Sequence, residues 1–212
     1  MFIPRHPVVE DQFCSYGETD TTTGVGGVVA YAGAVVYLDS TATNQEPIVF
    51  KMKFNGPTYT PFGFLMQKVK TGYHQVHPNG FVMPGDLGSS DAIAQSKYRA
   101  TGAIEGTKSV PAGVAHLGIY DTVHYTAEGT DGNASTPTVP SAGILPGQPL
   151  RAAADEGKVT NDVSNAAGGT DYNGEYCADT TVARVMKGAS VAKATANIAN
   201  TTLYPIRIKL LI

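Results

Sequence analysis

The end of the chain carries the clearest alternation of apolar and polar side chains. Within residues 203–212, Ile206, Ile208, Leu210 and Ile212 occupy every second position. Side chains at alternate positions of a β-strand point to the same face, so the pattern predicts a terminal strand with one apolar face. Such a strand must lie inside a sheet or dock on a neighbour, because an uncovered apolar edge invites aggregation.

Further strands are predicted where β-branched and aromatic residues gather between turn residues. The strongest runs from Gly113 to Tyr125, and residues 148–153 and 158–160 form a predicted hairpin around 154–157. The other predicted strands are 28–31, 35–38, 48–54, 62–69 and 181–187. Residues 89–98 fit either a short helix or an irregular lid, and residues 189–200 fit helix, loop or irregular strand. The overall prediction is an all-β fold.

Segments without these strand-like runs indicate how the chain is organised. Residues 1–23 contain prolines, acidic residues and threonines without sustained periodicity, which predicts an extended N-terminal arm. Residues 24–212 then form a single β-rich domain. Two stretches rich in Gly, Asn, Ser and Thr, 126–146 and 162–180, are predicted to be long surface loops.

Composition and charge narrow the class of protein. The 212 residues include 24 Gly and 13 Pro, and only 16% are charged, which disfavours a helical bundle or coiled coil. The net charge of −3 disfavours a general nucleic-acid binder, since such proteins are normally basic. Residues 24–38 are free of charge but too short for a bilayer span of roughly 20 residues, and the prolines near the N-terminus argue against a secretory signal.

Few residues suggest chemistry. Cys14 and Cys177 fit no metal or redox spacing, and a disulfide between them is possible but not required. The pair His74 and His77 is a weak metal signal, and His116 on the predicted strand is more typical of a core or interface position. No nucleophile elbow or P-loop occurs. We therefore expect no enzymatic activity, no catalytic residue, no cofactor, no metal, and no small-molecule, nucleic-acid or membrane partner.

The order of these blocks resembles the head decoration (capsid cement) proteins of tailed bacteriophages. The matching segments are GAVVYLDS (33–40), PFGFLMQKV (61–69), GVAHLGIYD (113–121), PGQPLR (146–151) and residues 184–212. The resemblance implies a small β-barrel, β-tulip-like or sandwich body that forms a homo-trimer. It further implies a structural virion protein, made in the bacterial cytoplasm, that binds the major capsid protein on the outer surface of the head and stabilises it.

Under this interpretation the two chain ends supply apolar anchors between subunits or to the capsid. The candidate interface residues are Phe2, Ile3, Val8, Ile208, Leu210 and Ile212. The alternative is a carbohydrate- or receptor-binding β-module of a phage tail or fibre, with exposed tyrosines as the contact. A trimeric β-clip enzyme of nucleotide metabolism is a weaker third interpretation, because no phosphate-gripping motif was found.

Overall fold

A computed structural model describes residues 2–5, 10–17, 28–38, 47–52, 60–70, 91–93, 112–127, 143–153, 157–161 and 181–212. The described elements are β1 (Phe2–Pro4), β2 (Glu10–Tyr16), β3 (Val28–Ala30), β4 (Val35–Leu38), β5 (Ile48–Lys51), β6 (Pro61–Leu65), β7 (Lys68–Lys70), β8 (Asp91–Ile93), β9 (Ala112–Leu117), β10 (Ile119–Thr122), β11 (Pro149–Ala152), β12 (Val159–Thr160), β13 (Thr181–Lys187), α1 (Val191–Ile198) and β14 (Ile206–Leu210). The prediction of an all-β fold is confirmed.

The largest sheet has six strands in the order β1-β10-β14-β13-β11-β12, and all neighbours are antiparallel. The predicted terminal strand is confirmed as β14, which lies inside this sheet between β10 and β13. Three side chains of this strand are fully buried: Ile206, Ile208 and Leu210. The chain therefore covers its apolar last strand with its own neighbouring strands and core.

Five other strands pair in a closed cycle, β2-β5-β4-β6-β9, as in a small barrel. Only the β2 and β5 pair is parallel within this cycle. A third sheet has the order β3-β7-β8, with β7 and β8 parallel. Asp91–Ile93 is therefore a strand, not the start of the helix considered for residues 89–98.

A glycine joins the cycle to the six-stranded sheet. The single strand predicted for residues 113–125 breaks at Gly118, which divides β9 of the cycle from β10 of the larger sheet. Its φ of +134° is a backbone conformation that residues with a side chain rarely adopt. A Cβ at this position would lie 2.8 Å from Cε2 of Tyr120, so this joint depends on glycine.

The two N-terminal strands, β1 and β2, lie beside β10 and β9 and run antiparallel to them. β1 pairs with β10 and β2 pairs with β9, while the Arg5 amide donates to the Ile119 carbonyl at 2.7 Å. The division into an arm (1–23) and a domain (24–212) stays a prediction. Within residues 1–23, the described residues are extended and pair with strands of the predicted domain.

Phe2 links the two larger groups of strands in the core. Its ring stacks on Tyr120, with centroids 4.2 Å apart, and on Phe64 of β6, with centroids 5.9 Å apart. The same core cluster includes Leu150 and Ile208 on the inner face of the six-stranded sheet. A second cluster, around Cys14 and Leu65, lies among the strands of the cycle and the third sheet.

The segment 189–200, left open by the sequence, forms the helix α1. Ala194 and Asn197 are its buried residues, and Asn200 ends it with a φ of 54°, a conformation that asparagine tolerates. The predicted hairpin is confirmed as β11 and β12. Most of the predicted loop 126–146 and all of 162–180 lie outside the described residues. No helix in the described ranges has the length and hydropathy needed to cross a membrane.

Candidate interaction surface

One face of the six-stranded sheet packs on the core, and the opposite face carries most of its charge. In β14, Ile206, Ile208 and Leu210 are buried, whereas Arg207 and Lys209 between them point away. The strand register then places further charged residues beside these two. We define the basic face as Arg5, Arg184, Lys187, Arg207 and Lys209 together with Asp121.

Asp121 lies at the centre of one ion cluster on this face. Nε of Arg5 donates to its Oδ2 at 2.7 Å, and Nε of Arg207 donates to its Oδ1 at 2.8 Å. Nη2 of Arg207 adds a bond to Oδ2 at 3.2 Å, so Arg207 holds the carboxylate with two donors. The carboxylate is buried, whereas both guanidinium groups are partly exposed.

The electrostatics of the cluster favour its charged form. The hydrogen bond from Arg207, helped by the one from Arg5, holds the pKa of Asp121 below its usual value, although burial acts in the opposite direction. The same carboxylate raises the pKa of Arg207. Two cations share one carboxylate, so the cluster keeps a positive charge.

Beyond this cluster, the register places like charges directly opposite one another. Arg184 of β13 faces Lys209 of β14, and Lys187 faces Arg207 in the same strand pair. Arg184, Lys187 and Lys209 are all exposed. Like charges at opposed positions of neighbouring strands destabilise a sheet. These opposed like charges therefore do not contribute to the stability of the fold.

Apolar side chains accompany the cations. Ile119 pairs with Lys209, Pro149 pairs with Arg184, and both are half-buried. A β-bulge interrupts the pairing of β13 with β14 between Val185 and Lys187, and Met186 at this bulge is 48% exposed. The face thus combines positive charge with accessible apolar area, which is typical of a protein-binding surface.

Of the predicted interface residues, Ile3 lies on the basic face, because it pairs with Asp121. Phe2, Ile208 and Leu210 are buried in the core of the chain itself. Their role as anchors between subunits or to the capsid stays a prediction. A strand in the middle of a sheet buries its apolar face against its own domain, and Phe2 completes that core. Ile3 and Ile212 are half-buried, and Val8 lies outside the described residues.

Of the cysteine and histidine candidates from the sequence, Cys14 and His116 fall within the described residues. Burial raises the pKa of the Cys14 thiol to about 11, which leaves it protonated and unreactive near neutral pH. Cys177, His74 and His77 lie outside the described residues. Within the described ranges, no group of three or more His, Cys, Asp or Glu could hold a metal ion.

The tyrosines considered for sugar stacking differ in burial, and three of them lie outside the described residues. Tyr16 is buried, Tyr37 is half-buried, and Tyr59, Tyr73 and Tyr98 lie outside the described residues. Tyr31 is exposed, with its ring centroid 5.9 Å from that of His124. A stacking platform of several tyrosines is therefore not assembled by the part of the chain that the structure describes.

The basic face has a weak signal in the sequence. Basic residues alternate with apolar ones in Ile206–Leu210 and recur in Thr181–Lys187. That pattern shows that each strand has a charged side, but not that the two strands are neighbours. Arg5 and Asp121 reach the same face only through pairings over long distances in the chain.

No protein-family model matches this chain, and no similar protein is found among the curated proteins compared with it.

Proposed function

We propose that this chain is a capsid decoration protein, a structural virion component that binds the outer surface of a phage head and stabilises it without covalent bonds. The observation that carries the proposal is the pair of like-charged register partners on one sheet face, Arg184 with Lys209 and Lys187 with Arg207. An acidic protein surface would relieve this repulsion on binding. The order of sequence blocks that resembles cement proteins supports the same function.

The composition of the face favours a protein partner. Half-buried apolar residues such as Ile119 lie among the cations, whereas no aromatic residue for base stacking is among those that define the face. The net charge of the chain, −3, also opposes general attraction to nucleic acid. The proposed partner is the major capsid protein, bound by a homo-trimer of this chain.

Stabilisation would follow from mass action. A ligand that binds only the mature shell stabilises it by RT ln(1 + [L]/Kd), about 4 kcal/mol at a thousandfold excess over Kd. No bond is made or broken, and the proposal requires no enzymatic step. The basic face sets where the protein binds, and its charge makes binding weaken as salt is added.

The test uses expanded heads of the phage that encodes the chain, prepared without this protein. Wild-type protein is expected to bind to saturation and raise the temperature at which heads release DNA. The double variant Arg184→Gln/Lys187→Gln should bind at least tenfold more weakly, because it removes one cation from each like-charged pair. The matched control Lys51→Gln/Lys193→Gln removes two cations outside the basic face and should bind like wild type.

Stability of the free protein separates a binding defect from a folding defect. The face variant should unfold at the same urea concentration as wild type or a higher one, because cross-strand repulsion is relieved. Full decoration by the face variant would reject the basic face as the contact. Wild-type protein that fails to bind heads and instead binds glycans saturably would reject the capsid function itself.

A further inference from the structure

Arg151 occupies a position unlike the other arginines of the six-stranded sheet. It lies on β11, where its register partners are Thr160 of β12 on one side and Thr181 of β13 on the other. Its neighbours along the strand, Leu150 and Ala152, are buried in the core, so Arg151 points to the opposite face. Here the sheet is covered, because Thr160 is only 2% exposed.

Two hydrogen-bond donors of the Arg151 guanidinium have no acceptor among the described residues. Its Nε and Nη1 atoms are both buried, and neither has a hydrogen-bond partner among the described residues. Arg5, Arg184 and Arg207, in contrast, all donate hydrogen bonds to oxygen atoms. Arg151 as a whole is half-buried, but a buried donor that lacks an acceptor costs free energy, because the hydrogen bond that it loses to water is not replaced.

We propose that Arg151 is the centre of an oxyanion-binding site that takes a carboxylate or a phosphate group. An arginine always carries its charge and offers several donors, which suits either group. Thr160 and Thr181 place hydroxyl-bearing side chains at the two adjacent register positions. Arg151 lies on the same side of the six-stranded sheet as the basic face, at the β11–β12 end of the sheet, and is not one of the residues that define that face. The proposed site does not depend on the capsid function.

Two sources can supply the oxyanion. One is free inorganic phosphate. The other is the carboxylate of a partner molecule, for which acetate is the probe. Both sources provide negatively charged oxygen atoms for the Nε and Nη1 donors, and an experiment with two arms distinguishes them.

In the first arm, inorganic phosphate is titrated at constant ionic strength, with chloride as the reference anion, and thermal unfolding is followed. A bound anion raises the midpoint progressively with concentration. Wild type and the control Lys193→Met, which removes an exposed cation outside the basic face, should both show this rise, whereas Arg151→Met should not. Calorimetric titration of wild type with phosphate repeats the measurement without a variant, so that a poorly folding Arg151→Met protein does not leave the question open.

In the second arm, acetate replaces phosphate as the probe. The anion that raises the midpoint of wild type and of Lys193→Met, but not that of Arg151→Met, is the one that the site takes. The proposal is overturned if neither anion raises the midpoint of wild type, or if Arg151→Met responds as wild type does.

Discussion

Asp121 ties three neighbouring strands together, because its carboxylate accepts hydrogen bonds from Arg5, which follows β1, and from Arg207 of β14. Asp121→Asn should lower the free energy of unfolding at pH 7 by about 1–2 kcal/mol, less than for a fully buried pair because both arginines are partly exposed. Urea unfolding of the two proteins measures the difference.

The pH dependence of that difference follows from the pKa of Asp121, which is lowered in the folded protein. A lowered folded-state pKa means that the carboxylate stabilises the fold above its ordinary value of about 3.9. This stabilisation is lost as the pH falls through the folded-state pKa. The difference in stability between the two proteins should therefore begin to shrink below about pH 4 and vanish below the lowered pKa of Asp121. A gap of constant size down to the acid transition would show that Asp121 acts only through packing.

Asn197 is the residue that fastens the helix α1 to the sheet region. Its buried side chain donates to the Val123 carbonyl at 2.9 Å and accepts from the Tyr204 amide at 3.1 Å. Asn197→Ala should lower the free energy of unfolding by about 1–3 kcal/mol, because both backbone groups lose their partner. Asn200→Gly is the control, since Asn200 already has a positive φ that glycine accepts. Equal urea midpoints for both variants would contradict this role of Asn197.

At the scale of elements, β1 is a structural strand whose main contribution is Phe2. Phe2→Ala should lower the free energy of unfolding by about 3 kcal/mol, because it removes the ring stacked between Tyr120 and Phe64. Phe2→Leu keeps much of the apolar volume and should cost clearly less. Deletion of residues 1–5 should be at least as harmful as Phe2→Ala, and denaturant midpoints test all three. A deletion without effect on stability would instead support a free arm.

Elements with a strong local signal were predictable, and those fixed by tertiary contacts were not. The alternation in Ile206–Leu210 and Thr181–Lys187 and the turn between β11 and β12 are local, and the corresponding strands are present. The break at Gly118 was missed, because a glycine inside an apolar run looks like a tolerated strand residue.

The N-terminal strands were missed for another reason. Their acidic, proline-containing sequence has little periodicity, and they gain their structure by pairing with β9 and β10, about a hundred residues away. The basic face could not be predicted for a similar reason. No local pattern specifies that Asp121 lies beside Arg207, or that Lys187 lies opposite Arg207. Register between distant strands is what creates it.

At the scale of the whole molecule, the basic face raises the question of which partner meets it. The face carries five cations and one carboxylate in a chain of net charge −3, so the remainder of the chain has an excess of acid. A second copy is therefore a competitor to the capsid for the same face. The proposed function assigns the face to the capsid and requires the trimer to form through other surfaces.

Light scattering of the free protein distinguishes these two assignments. If the face binds the capsid, wild type and Arg184→Gln/Lys187→Gln should both have a mass near three times 22.2 kDa, at low and at high salt. If the face instead joins two copies, the variant should fall toward the monomer mass, and wild type should do so as salt screens the contact. A wild-type monomer under all conditions would contradict the preformed trimer, and assembly would then have to occur on the shell itself.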